Sequence, residues 1–242
     1  MRLRCGCLQA GGLPRAERAG VFSSLLIVAL VSGAANAESA RHARFIDAAE
    51  AVAGLQVDMR YFGDDNFIGR RIDGYEAPFC LLTREAASAL AAVQRDLAPL
   101  GFGLKVFDCY RPARAVAHFA RWARDSSDQA RKAEFYPEID KRNLFSEGYI
   151  SARSGHSRGS TVDVTLVHRA DGQMLDMGSP FDFFGTQSWP SDRTVPAAAQ
   201  ANRRALAGAM TRRGFRSYGK EWWHFTLGNE PFPDIYFDFP VR

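Results

Sequence analysis

Five positions carry chemistry in this chain if the fold brings them together: Arg111, His156, Asp163, Glu221 and His224. The stretch "SGHSRGSTVDV" (154–164) holds one of the five histidines seven positions before an aspartate. No short regular element places i and i+7 side by side. Alone, the stretch reads first as a Ser/Gly-rich turn entering a strand and only second as half of a metal site. Two later segments shift the balance. In "STVDVTL" (160–166), Val162, Val164 and Leu166 alternate with Thr161, Asp163 and Thr165. In "WWHFTL" (222–227), Trp223, Phe225 and Leu227 alternate with His224 and Thr226. A period of two sends alternate side chains to opposite faces, so each strand offers a ligand-type residue followed by threonine on its polar side. If the strands are neighbours, Asp163 and His224 share a face, and His156 folds back across Gly159 as a third donor. Two histidines and an aspartate with an open fourth position form a donor set used by catalytic Zn²⁺.

Metal-activated water needs a carboxylate to take its proton and pass it to a leaving amine. Glu221, three residues before His224, suits that role. In a fully extended strand i and i+3 point to opposite faces, so the expectation places Glu221 in the turn after Gly219. A surface carboxylate is an equal reading from spacing alone. Arg111 precedes Pro112, which holds its backbone extended, and a guanidinium fixed there could stabilise an oxyanion. Taken singly, Arg111 reads more readily as a structural partner of Asp108 or another acid. The remaining histidines have plainer roles: His42 near a terminus, His118 in an amphipathic helix, His168 opening a polar turn.

The elements that must position these residues follow from periodicity and turn signals. "TREAASALAAVQRDLA" (83–98) has Thr83 as a helix cap and apolar residues at Ala86, Leu90, Val93 and Leu97. "LKVFDCY" (104–110) reads as a strand ended by Arg111-Pro112, with Pro112 opening the helix "ARAVAHFARWAR" (113–124). Residues 126–150 read as irregular, 160–167 as a strand, 197–213 as a helix ending at Gly214, and 222–227 as the last strand before an aromatic tail. Strands and helices mix without steady βαβ alternation, which predicts an α+β fold. No repeat or linker divides residues 38–242, so a single domain is expected.

Residues 1–37 stand apart. Arg2, Arg4, Arg15 and Arg18 precede the apolar run "VFSSLLIVALVSGAA", which leads into Ala35-Asn36-Ala37. This is the layout of a secretory signal peptide, with cleavage expected after Ala37. The run is shorter than the ~20 apolar residues of a membrane span, so no stable membrane insertion is expected once it is removed. Three of the chain's four net positive charges belong to this segment. The remainder is near neutral and has no basic block suited to nucleic acid. Cys5 and Cys7 leave with the signal, and Cys80 and Cys109 remain. In an oxidising compartment these two can pair as a disulfide; two buried thiols are the plainer alternative.

Together, "SGHSRGSTVDVTL", "EWWHFTL" and "DCYRPARA" resemble the D-alanyl-D-alanine dipeptidases, zinc peptidases related to the vancomycin-resistance dipeptidase. "DNFIGRRIDGYE" (65–76), "MGSPFDF" (177–183), "NRRAL" and "YFDFPV" extend the resemblance in the same order, from about Phe45 to Arg242. It implies a small α+β unit whose antiparallel sheet, flanked by helices, carries one Zn²⁺ per chain on its polar face. His156, Asp163 and His224 would be the ligands, Glu221 the general base, and Arg111 the transition-state stabiliser. Tyr61 in "MRYF", Asp182 in "PFDF" and Ser154 fall where the family binds substrate; without the resemblance Tyr61 reads as a core aromatic and Asp182 as a loop carboxylate. The implied reaction is hydrolysis of D-Ala-D-Ala to two D-alanines. A D,D-carboxypeptidase or endopeptidase acting on longer wall peptides is the nearest rival, and a non-catalytic zinc-stabilised wall-binding module is a further one. Thr161 stands where alanine is expected, a change of packing. The signal peptide matters more: it predicts an exported, periplasmic enzyme, which cannot reach a cytosolic D-Ala-D-Ala pool. That favours D-alanine salvage or wall turnover over antibiotic resistance.

Overall fold

The computed structural model describes residues 44–242. The secretory segment expected at 1–37, with Cys5 and Cys7, lies outside the described residues, as does His42. Among the described residues, seven strands and five α-helices follow in the order β1 (Phe45–Asp47), α1 (Ala48–Ala51), β2 (Gln56–Val57), β3 (Leu81–Thr83), α2 (Arg84–Leu97), β4 (Phe102–Asp108), α3 (Ala113–Arg124), α4 (Lys132–Phe135), β5 (Thr161–His168), α5 (Ala197–Arg212), β6 (Phe215–Tyr218) and β7 (Glu221–Leu227). The class is α+β. A five-stranded sheet runs β2-β4-β5-β7-β6, and β1 pairs with β3 in a two-stranded sheet. Pairing in the larger sheet is antiparallel except at its edge, where β2 runs parallel to β4.

The alternation in β5 and β7 sets the sheet's two sides. Val162, Val164, Leu166 and Phe225 are buried, and α5 packs against β5 and β7 while α2 packs against β4; Trp223, also buried, lies against Phe181. Helix α2 begins where the sequence expects, with the Thr83 side chain accepting a hydrogen bond from the Ala86 amide at 3.3 Å. It buries Ala86, Leu90, Val93 and Leu97, the predicted stripe. Helix α5 ends before Gly214, whose φ of 87° is in the left-handed region. Pro112 sits one position outside α3, at its N-cap.

Two differences from the sequence reading bear on the site. Strand β4 starts at Phe102 and stops at Asp108 rather than running from 104 to 110. Cys109 and Tyr110 leave the five-stranded sheet for β3, where the Tyr110 amide donates to the Leu81 carbonyl at 2.9 Å. Residues 126–150, expected to be irregular, contain the one-turn helix α4 and a short 3₁₀ turn at Lys141–Asn143. The aromatic tail forms no strand. Phe232, Phe237 and Phe239 instead surround Phe45, with ring centroids 5.0 to 6.4 Å from it.

Candidate metal centre and active site

Register across three strands assembles the site. Asp163 on β5 lies opposite His224 on β7 and opposite Asp108 on β4, so all three share the polar face. The β4–β5 pairing is irregular between Val106 and Asp108, which leaves Phe107 out of the ladder and aligns Asp108 with Asp163. Thr161 and Thr226 pair one step along, their hydroxyls 2.9 Å apart. The extra hydroxyl at Thr161 is thus spent on a cross-strand hydrogen bond.

His156 arrives from a 3₁₀ turn, Gly155–Arg158. Ser154 caps this turn, its Oγ accepting from the His156 amide at 3.3 Å. Gly159 closes it at φ 80°, packed so tightly that a Cβ there would lie 2.1 Å from the Phe45 ring. The His156 Nδ1 is 2.7 Å from the Cys109 carbonyl. A carbonyl only accepts, so Nδ1 carries the proton and Nε2 presents its lone pair.

That lone pair faces the other two donors. His156 Nε2 is 3.2 Å from Asp163 Oδ1 and 3.3 Å from His224 Nδ1, and His224 Nδ1 is 3.1 Å from the same Asp163 oxygen. Asp163 Oδ1 is buried yet makes no hydrogen bond. Tetrahedral donors ~2.0–2.1 Å from a zinc ion stand roughly 3.3 Å from one another. Three donors at 3.1–3.3 Å, one of them an orphaned buried oxygen, fit a small divalent cation. Burial opposes ionisation of Asp163, but His156 and His224 beside it hold its carboxyl well below the usual range.

The groups expected to act on substrate lie around this trio. Glu221 is the first residue of β7 rather than part of the preceding turn. The β6–β7 pairing slips between Ser217 and Tyr218, opposing Tyr218 to Glu221. This irregularity keeps Glu221 Oε2 within 3.5 Å of His224 Nδ1, despite the three-residue spacing. Burial, then the Asp163 charge, pushes the Glu221 carboxyl up to about 8, against the pull of Arg111 and His156.

Arg111 has the structural partner considered for it and also lines the cavity. Its Nε and Nη2 each approach Asp108 Oδ2 at 2.9 Å, and Nη2 is 3.7 Å from Asp163 Oδ2. Its guanidinium also stacks 5.0 Å from the Tyr61 ring and 5.1 Å from Phe119. Burial works against its charge, but Tyr61, Asp108 and Asp163 hold its pKa well above the ordinary value. At the far end the Tyr61 hydroxyl donates to Asp182 Oδ2 at 2.8 Å. Asp182 is 5 % exposed and has a φ of 59°, the positive-φ exception to glycine among the described residues. Burial, then Asp163, raises its pKa well above the carboxylate range, partly offset by Tyr61 and Arg111. Tyr61, Arg111, Ser154, His156, Asp163, Asp182, Glu221 and His224 all line one cavity of about 220 Å³. That is smaller than the ~300–1,000 Å³ of drug-sized sites.

Residues 41–242 match the family model described as Peptidase_M15, D-ala-D-ala dipeptidase. The chain belongs to the D-Ala-D-Ala dipeptidase family. Its relatives include a D-alanyl-D-alanine dipeptidase of Streptomyces coelicolor, 46 % identical over 81 % of this chain and 96 % of the relative. One from Enterococcus faecalis is 43 % identical over the same shares. An Escherichia coli protein of the same description is 34 % identical over 75 % of this chain and 83 % of its own length.

Within this dipeptidase frame the structure gives Asp108, named in the sequence only as a partner for Arg111, a central place, and adds Arg153. Asp108 is completely buried, accepts from the Tyr75 hydroxyl at 2.6 Å and holds Arg111. Its register opposite Asp163 was the available signal, hidden by the irregularity in β4. Arg153 lines the same cavity with its guanidinium 4.3 Å from the Tyr236 ring, and no carboxylate pairs with it among the described residues. His118 and His168 stay out of the cavity; His118 Nδ1 accepts the Asp73 amide at 3.2 Å.

Proposed function

We propose that this protein is a zinc-dependent dipeptidase that hydrolyses D-Ala-D-Ala to two D-alanines. The carrying observation is a convergence within one small cavity: three metal-type donors at 3.1–3.3 Å, with Glu221 beside them and Asp182 at the far wall. The relatives' shared description as D-alanyl-D-alanine dipeptidases supports the substrate.

His156 Nε2, Asp163 Oδ1 and His224 Nδ1 would hold the zinc, which supplies Lewis acidity toward a water and the peptide carbonyl. Glu221 accepts the proton of the attacking water and hands it to the leaving amine. Arg111, anchored by Asp108, offers positive charge where the carbonyl oxygen becomes an oxyanion. Asp182, held by Tyr61, takes the substrate ammonium, whose arrival compensates the cost of ionising a buried carboxyl. The opposite end of a free dipeptide is a carboxylate. Arg153 is the cavity's other cation and has no acid of its own, so it receives that end, with Ser154 beside it.

The amino-side wall of Tyr61, Phe67, Asp182 and Phe184 favours a free dipeptide over the rival D,D-carboxypeptidase substrates, which continue past that point. Activity outside the inner membrane is part of this reading. It is supported by the signal-like N-terminal sequence and by a buried disulfide, chemistry suited to an oxidising compartment. Among the described residues no helix is long and apolar enough to cross a membrane. The product then enters D-alanine salvage or wall turnover.

The test is an assay of residues 38–242 on D-Ala-D-Ala, its N-acetyl form and a wall pentapeptide, each with and without chelator. The free dipeptide should be cleaved fastest, and activity should vanish with chelator and return with zinc. Faster cleavage of either longer or blocked substrate would favour the rival.

A further inference from the structure

Cys80 and Cys109 form a disulfide with both residues buried and sulfurs 1.97 Å apart. Cys109 occupies an unusual place. It is the first residue beyond β4, so the sheet ladder that fixes Asp108 against Asp163 no longer holds it. Yet its carbonyl is the group that accepts the Nδ1 proton of His156 at 2.7 Å. Whatever fixes this carbonyl fixes both the tautomer and the ring angle of a donor to the metal.

The other end of the bridge lies beside β3, and β3 is also bonded to the loop that carries His156. The Thr83 amide donates to the Gly159 carbonyl at 2.8 Å, and the Thr83 and Ser160 hydroxyls are 2.8 Å apart. The Cys80 carbonyl accepts from the Ala48 amide at 2.8 Å, tying the bridge into the start of α1. A single short strand thus serves as the common reference for two backbones, 109–111 and 156–160. The disulfide is the covalent link in that arrangement. If the Cys109 carbonyl shifts, the next acceptor for Nδ1 is Asp108 Oδ2 at 3.4 Å, which already holds Arg111.

We infer that the Cys80–Cys109 bridge is a positioning device for the metal centre, locking the Cys109 carbonyl that orients His156. It rests on the reading of His156 as a ligand. Outer-shell partners of ligating histidines typically contribute 10–100-fold in metal affinity. A bridge acting only as a staple for the fold would lower stability and leave that affinity alone.

The experiment compares wild type, the Cys80→Ala/Cys109→Ala variant and Leu206→Ala, which weakens a buried position on α5 away from the site. Each is titrated with zinc against a chromophoric chelator, well below its melting temperature. The zinc-free proteins are also examined by imidazole ¹⁵N NMR. The double variant should bind zinc about 10–100-fold more weakly, and its His156 should lose the fixed Nδ1–H tautomer. Leu206→Ala should melt earlier yet keep wild-type zinc affinity. Equal zinc affinity in the double variant would overturn the inference. So would an equal loss in Leu206→Ala, or failure of the double variant to fold, since each makes the bridge a general staple. A wild type that binds no zinc would instead sink the metal reading, while the NMR spectrum still reports the carbonyl–imidazole bond.

Discussion

Asp108 and Asp163 face each other across neighbouring strands, and Arg111 lies between them at 2.9 and 3.7 Å. Like charges directly opposite destabilise a sheet, so the guanidinium between them is needed structurally, whatever else it does. Asp163 and Glu221 show how neighbours divide the work among carboxyls in one cavity. The two histidines keep Asp163 ionised and fit to bind a cation, whereas burial raises Glu221 toward the range of a proton carrier. Replacing Glu221 by alanine should therefore lower turnover by about 10²–10⁴-fold while metal analysis still finds zinc; near-wild-type turnover would exclude it as the base. Arg153→Ala should raise KM for D-Ala-D-Ala more than it lowers kcat. The same change should leave cleavage of the C-terminal amide of the dipeptide almost untouched. An equal effect on both substrates would remove Arg153 from carboxylate recognition.

The strands and helices that place these groups differ in how openly the sequence declares them. Strands β5 and β7 are long enough for a period of two to show, and their alternation points to the shared face of Asp163 and His224; the Thr161–Thr226 pair follows only from the antiparallel register. Helix α2 announced itself through Thr83 and its apolar stripe. What stayed hidden depends on partners rather than on local pattern. Strands β1 and β2, two or three residues long, exist through pairing with β3 and β4 and leave no periodic trace. Glu221 was misplaced because a pairing slip between β6 and β7 cannot be read from either strand alone. Tyr61 and Asp182 meet across 121 positions and acquired roles only through the family resemblance. Gly159 belongs to this scale too. Adding a Cβ at φ 80° against the Phe45 ring should cost roughly 2–4 kcal/mol. In Gly159→Ala, denaturant unfolding should show that loss and zinc binding should weaken with it. A fully stable variant would mean that the turn relaxes without its glycine.

Across the whole molecule, one side of the larger sheet is committed to packing and the other to chemistry, and metal binding couples the two. The donor trio comes from β5, β7 and the turn before β5, so an ion held there ties together segments that separate on unfolding. Zinc at a hundred times its dissociation constant should stabilise the protein by about 2.7 kcal/mol. For a domain of this size that corresponds to a melting temperature roughly 5–10 °C above that of chelator-treated protein. Identical melting curves would argue against a bound ion.

The aromatic tail has a further consequence. The Phe237 amide donates to the Ser157 carbonyl and its own carbonyl accepts from the Ala113 amide, each at 2.9 Å. One residue near the end of the chain therefore clasps both the turn presenting His156 and the start of the helix that follows Arg111. Close by, the Tyr110 hydroxyl donates to the Phe239 carbonyl at 2.9 Å. Both arms of the site therefore take part of their support from residues 237–239. The site thus depends on a segment remote from it in sequence: cutting the chain between β7 and Phe237 would leave every candidate site residue present and remove the clasp that joins their two arms.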